Sequence, residues 1–192
     1  MSTLISIAVG IGLSAATGFR VFVPLLVLSL AARGGYLPLA PGFEWIASTE
    51  ALVAFAVAAL AEVTAYAVPW LDNALDALAT PLALLAAVLV SAAVLTDLPP
   101  FLKWSLAIIA GGGAAGMVQG ATVLLRLKSG AGTGGLANPL LGVIELFGAV
   151  GTALLAISLP ILALVLVLAV CLLIFRAARR VVFGRRAASP RS

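Results

Sequence analysis

Three ionisable residues stand inside long apolar runs of this chain: Arg20, Glu62 and Glu145. A charge at the centre of a bilayer costs about 2.5–3.5 kcal/mol on insertion scales, so each of the three needs a partner or water. One arginine neutralises one carboxylate. The other is then left to a hydrated cavity, a proton or a bound cation, which is the chemistry of a permeation site. The competing reading is structural: a single Arg20–Glu62 or Arg20–Glu145 bridge could simply hold two helices in register. Gln119 adds a neutral donor and acceptor at similar depth. Asp72 and Asp76 are four residues apart, a spacing that puts both carboxylates on one helical face at the cytoplasmic rim, where they could attract a cation or answer Arg126 and Lys128. A solvated loop capped by Asp72 is the plainer explanation of that pair.

The backbone around these residues is unusual. Pro24 has no N–H for the carbonyl of Arg20, and Gly18 weakens the helix just before it, so the first apolar run is expected to be interrupted at mid-membrane. Pro69 and Pro160 free the carbonyls of Ala65 and Ala156 in the same way. Gly10, Ser14 and Gly18 share a four-residue spacing with Gly112, Gly116 and Gly120. Such small-residue faces let helix backbones approach closely, and the two faces are expected to meet. The alternative is that Gly18 and Gly116 expose backbone to a permeating solute.

Little else suggests catalysis. The 192 residues include no histidine and one cysteine, Cys171, which removes the usual general base and the commonest metal ligand. No metal site, cofactor or nucleophile–base pair stands out, and an enzyme is not expected. Ser129–Gly135 is glycine-rich but lacks the lysine and spacing of a phosphate-binding loop, so it reads as a flexible linker.

The elements that must position these residues follow from composition. Hydrophobic residues make up 64% of the chain and charged residues 9%, against roughly 45–50% and 25% in soluble domains. Lipid must cover what water covers elsewhere. An all-α polytopic membrane fold follows, with six apolar stretches long enough to cross about 30 Å of hydrocarbon: Leu4–Ala32, Thr49–Trp70, Leu75–Leu95, Phe101–Leu127, Pro139–Leu159 and Ile161–Phe183. Pro38 and Pro41, Thr80-Pro81, Pro99-Pro100 and Asn138-Pro139 mark the breaks. Residues 1–183 form one transmembrane domain, and 184–192 form a basic tail.

Six spans put both termini on one side. Arg126, Lys128, Arg176, Arg179, Arg180, Arg185, Arg186 and Arg191 fall on that side, with only Arg33 and Lys103 opposite. The positive-inside rule makes it cytoplasmic. The tail's arginines read as a topology signal that also touches anionic lipid headgroups, rather than as a nucleic-acid site.

The halves 1–98 and 99–183 can be laid over each other, with Gly18 on Gly116 and Pro69 on Pro160. Three spans per half would invert the second half in the membrane, the arrangement of many secondary transporters. An ordinary six-helix bundle of similar composition is the alternative.

The runs SAATGFRVFVPLL and EVTAYAVPWLDNALD, followed by Thr80-Pro81 and a glycine-rich fourth span, resemble a family of small bacterial integral membrane proteins of unknown function, the domain-of-unknown-function 4126 type. The resemblance implies a six-helix membrane domain in the inner membrane of a bacterial cell and carries no site residues. The expected function is a small secondary transporter or channel-like permeation protein for an ion or small polar solute. A non-transporting scaffold, packing with a second copy or another membrane protein through its glycine faces, is the alternative.

Overall fold

The computed structural model describes residues 2–65, 69–134 and 136–184, with 69–78 and 181–184 described by their backbone alone. All regular structure among them is helical. The helices are α1 (Thr3–Thr17), α2 (Phe22–Arg33), α3 (Thr49–Ala65), α4 (Pro69–Val94), α5 (Pro100–Leu106), α6 (Gly113–Thr133), α7 (Asn138–Ser158) and α8 (Pro160–Gly184). A short 3-10 turn, Glu44–Ala47, precedes α3, and one wide π turn, Ala107–Gly112, joins α5 to α6. The 34-residue run Pro100–Thr133, α7 and Pro160–Arg180 of α8 are each long and apolar enough to cross a membrane. Thr3–Thr17, Phe22–Arg33 and Ala79–Val94 are shorter apolar helices. The outward faces of the three long runs are apolar: Ile109, Phe147 and Leu173 are all exposed.

The first apolar run is broken where Gly18 and Pro24 predict. Helix α1 ends in tight turns, the N–H groups of Gly18 and Phe19 donating three residues back to Ala15 and Ala16. Helix α2 starts at Phe22, which makes Pro24 a first-turn residue whose missing N–H costs nothing.

Helix α1 is the centre of the packing, in contact with α4, α6, α7 and α8. Ser14 donates to the carbonyl of Ala87 at 2.8 Å, and Thr17 to that of Ala83 at 3.2 Å, which ties α1 to α4. Ser91 of α4 sits between two glycines, Gly10 of α1 and Gly111 of the π turn. At the end of the molecule where α2 stops and α5 begins, Ala40 N–H donates to the last-turn carbonyl of Ala93 at 2.7 Å, and Phe43 lies against Trp104 and Lys103.

Several boundaries differ from expectation. Helix α4 begins at Pro69 and runs unbroken through Pro81, so Thr80-Pro81 is not a helix start. The described part of the Ser129–Gly135 run, 129–134, is not a linker: α6 continues to Thr133 and stops at Gly134, whose φ of 62° is a left-handed cap that suits glycine. Asn138 is not the cap of α7 but its buried first residue, and Ala137 holds the cap position. The α7–α8 break does fall at Pro160. The tail beyond Gly184 lies outside the described residues.

Candidate functional site

The break between α1 and α2 leaves the first N–H groups of α2 without helical partners. Glu62, from α3, supplies them: its two carboxylate oxygens accept from Val21 N–H at 2.7 Å and Phe22 N–H at 3.0 Å. A carboxylate is the favoured occupant of a helix N-terminus, where charge-assisted bonds and the helix dipole act together. Glu62 is therefore hydrogen-bonded to a backbone terminus.

Arg20 is held in the break itself and is only 2% exposed. Its Nη2 donates to the carbonyl of Gly142 in α7 at 2.9 Å and lies 3.8 Å from Glu145 Oε2. Glu145 makes its strongest pair elsewhere. Arg126 of α6, 4% exposed, donates to Glu145 from both Nε, at 2.9 Å, and Nη2, a two-pronged ion pair. Gly142 makes this crowding feasible. A Cβ there would lie 3.1 Å from Arg20 Nη2 and 4.0 Å from Arg126 Nη2.

Helical rise explains why these groups meet. Arg20, Glu62 and Glu145 each lie thirteen residues from the end of their helix nearest the Phe43–Trp104 contact, at Arg33, Thr49 and Ser158 respectively. That is about 20 Å of helix in each case. Arg126 and Glu145 each lie seven residues from the α6–α7 turn, measured from Thr133 and Asn138, so an antiparallel pair of helices sets them level. Gln119, Thr122 and Arg126 share one buried face of α6, and the Thr122 hydroxyl donates to the Gln119 carbonyl at 2.9 Å.

Two expectations are corrected here. Arg126 is expected among the cytoplasmic basic residues, yet it is buried and paired, so the buried charges among the described residues include two arginines, Arg20 and Arg126, with Glu145 buried between them and Glu62 half-buried beside the break. The glycine faces also meet in a different register. Gly18 does press on α6, where a Cβ would lie 2.6 Å from the Ala115 carbonyl oxygen and 2.7 Å from Val118 Cβ. The row that receives α1 is Gly111, Ala115 and Gln119. Gly116 faces the end of the Leu84 side chain on α4, and Gly120 faces open space. Gly116 is thus not at the site. The side chains of Asp72 and Asp76 lie outside the described residues. No three His, Cys, Asp or Glu side chains gather among the described residues in a way that could hold a metal ion.

Beside the cluster an apolar cleft of about 280 Å³ opens between α1, α7 and α8, with Phe19 and Gly148 at its wall. Its lining begins one residue from Arg20, at Phe19, and two from Glu145, at Phe147.

Fold and site together define an all-helical protein with long apolar helices, a broken first helix and a buried arginine–glutamate cluster at the break. Residues 7–180 match the family described as a domain of unknown function, DUF4126, and the chain belongs to that family. No curated protein and no solved structure matches it.

Proposed function

We propose that the protein is a small secondary transporter or channel-like permeation protein for an ion or small polar solute. The observation that carries this reading is the broken first helix, with Arg20 in the break and Arg126, Glu145 and Glu62 gathered round it. Non-helical backbone is tolerated at membrane depth only where it is buried in protein or lines a cavity, and half-helix termini at that depth are a common means of binding charged groups.

The membrane arrangement we propose has six crossings: α1 with α2, α3, α4, the run from α5 through α6, α7, and α8. Both termini lie on the cytoplasmic face of a bacterial inner membrane, and the basic tail beyond Gly184 lies against anionic headgroups. Exposed Trp45, Trp104 and Tyr36 cluster at the end opposite the α6–α7 turn and suit a membrane interface. Helices α1–α4 and α5–α8 form two inverted halves. In support, the first crossing of each half is irregular, by a break in one and a π turn in the other, and each half's last helix starts at a proline, Pro69 or Pro160. Modification of cysteines placed at Ser2 and Ser192 should be blocked in intact cells, and labelling of either from outside overturns this topology.

The second reading, a scaffold that assembles with other membrane proteins or with its own copies, draws on Gly113 and Gly120. They stand on the outer side of α6 with nothing within 4 Å of a Cβ. Flux in proteoliposomes, screened over cations, anions and protons, separates the two. Transport above protein-free vesicles supports the first. No flux over the whole screen, with another membrane protein co-purifying, supports the second.

A further inference from the structure

We infer that Glu62 is a proton-binding site and that its carboxylate is a latch between α3 and the start of α2, closed when ionised and released when a proton neutralises it. The inference rests on the transport reading for the use of the latch, and it names the proton as the coupling ion.

Helix α3 is lightly held. Only Ala51 and Ala59 of its 17 residues are buried, and it packs chiefly on α2 and the 3-10 turn. Lipid tails are as apolar as the side chains they would replace, so polar links and close packing decide whether membrane helices stay together. Two buried alanines supply little packing. Among the described residues, the polar links from α3 to α2 stand at its two ends. At its start, Arg33 Nη1 donates to the Thr49 hydroxyl at 2.8 Å. Thirteen residues further on, about 20 Å along the helix, Glu62 accepts from Val21 and Phe22 N–H. The helix is a lever hinged at Thr49 and fastened at Glu62.

The fastening depends on charge. A carboxylate has two accepting oxygens, and Glu62 uses both. A proton taken from water forms an O–H bond on one of them, which turns that oxygen from an acceptor into a donor facing an N–H. One of the two N–H···O bonds is lost, and the negative charge that answers the helix terminus goes with it. Charge also decides where α3 can go. An ionised glutamate cannot swing toward hydrocarbon without the cost of a charge in lipid, whereas the neutral acid can. Proton uptake and release of α3 are therefore one event, and release uncovers the break that holds Arg20. The charged groups that face Glu62 are Arg20 from the break and Glu145 from α7. They are opposite in sign and stay with the bundle in either state of the latch. On α3 itself, the other ionisable residue, Glu50, lies twelve residues away at the exposed start.

The test uses the full-length protein with Cys171→Ala in lipid nanodiscs. Spin labels are placed on cysteines replacing Leu60 of α3 and Leu173 of α8, both exposed. Pulsed electron–electron double resonance reads the distance between them from about pH 8 to about pH 4, which spans the titration of a carboxylate. One distance is expected at high pH, and acidification should add a second population displaced by up to about 10 Å, one helix diameter. A control pair on Leu124 of α6 and Leu173, also exposed, should keep one distance throughout. Glu62→Gln, neutral at every pH, should show the second population over the whole range. If Glu62→Gln does not fold, Glu62→Asp decides: one methylene shorter, it reaches only one N–H, and its midpoint should lie about one pH unit higher, the tenfold change in proton affinity that one lost hydrogen bond gives. A distance that ignores pH in the parent, a shift shared by the control pair, a shift that still titrates in folded Glu62→Gln, or an unchanged midpoint in Glu62→Asp overturns the inference. Opening on acidification with no flux in proteoliposomes under a pH gradient overturns the transport reading and leaves the latch standing. Flux with α3 fixed at every pH does the reverse.

Discussion

Replacing Gly18 with alanine and replacing Gly116 with alanine should have opposite effects. In both positions the change removes a flexible residue from a right-handed helical conformation, which by itself stabilises by about 0.4–1 kcal/mol. The surroundings then decide the sign. At Gly18 the new Cβ would stand 2.6 Å from the Ala115 carbonyl oxygen, 2.7 Å from Val118 Cβ and 3.0 Å from the Gln119 nitrogen. Two of those neighbours are backbone atoms of α6, so relief requires the helices to separate by close to an ångström at their tightest crossing. Overpacking of this kind costs about 1–3 kcal/mol, and here it acts beside the break that positions Arg20. The net effect at Gly18 is a loss of about 0–2.6 kcal/mol, taking the gain from the extremes of those two ranges. At Gly116 the only neighbour is the tip of the Leu84 side chain at 3.3 Å, which can turn aside, and the net effect is between zero and a gain of about 1 kcal/mol. Reversible unfolding in mixed micelles, followed by tryptophan fluorescence, measures both. If Gly116→Ala loses stability while Gly18→Ala keeps it, the register of α1 against α6 described above is wrong.

Further outcomes follow from the charge cluster. Arg126→Gln should destabilise by up to about 3 kcal/mol because it removes the two-pronged pair and leaves Glu145 to the longer approach of Arg20 Nη2, and the double variant with Glu145→Gln should recover part of that loss, a coupling of about 0.5–3 kcal/mol in a double-mutant cycle; additive losses would show that the two do not pair. Glu62→Gln leaves one carbonyl oxygen where two carboxylate oxygens accept from Val21 and Phe22. It should cost about 0.5–2 kcal/mol, the range of a lost helix cap, with faster hydrogen exchange confined to the start of α2; uniform exchange rates would count against the cap. Ser14→Ala, which removes the bond to the Ala87 carbonyl, should cost about 0.6 kcal/mol, the average for hydrogen bonds between membrane helices, and a loss several times larger would mean that Ser14 does more than tie α1 to α4.

Much of the helical layout was legible because proline and glycine act locally. The break after Gly18 and the turn at Pro160 follow from a missing N–H and a missing side chain, and both fall where the residues place them. Thr80-Pro81 misled because a proline is tolerated inside a helix, as α4 shows. Arg20, Glu62 and Glu145 were visible as charges in apolar runs, but their partners depend on helix order and rotation. Arg126 was missed because it sits beside Lys128 near a run's end and was counted with the topology-setting residues. The signal was present: Arg126 and Glu145 flank Gly135 almost symmetrically, as levels do in a helical hairpin. The glycine register failed because Gly111-Ala115 and Gly112-Gly116 are neighbouring small-residue rows with identical spacing. Spacing cannot choose between them, whereas Gln119, Thr122 and Arg126 on the first row's side mark the face that turns inward. The role of Gly142 has no signature in the sequence, since it consists of room left for two side chains from other helices.

The central claim is that the cluster at the α1–α2 break is a solute site and not a sealed clamp. Water access at Thr122, on the buried polar face of α6, tests it most directly. In a background with Cys171→Ala, a cysteine replacing Thr122 should react in native membranes with a small, charged, membrane-impermeant methanethiosulfonate, more slowly than a cysteine at Ser192 but measurably. No reaction at Thr122 under conditions that fully modify Ser192, in membranes where the protein is folded, would contradict the account and leave the arginines and Glu145 as a structural bridge.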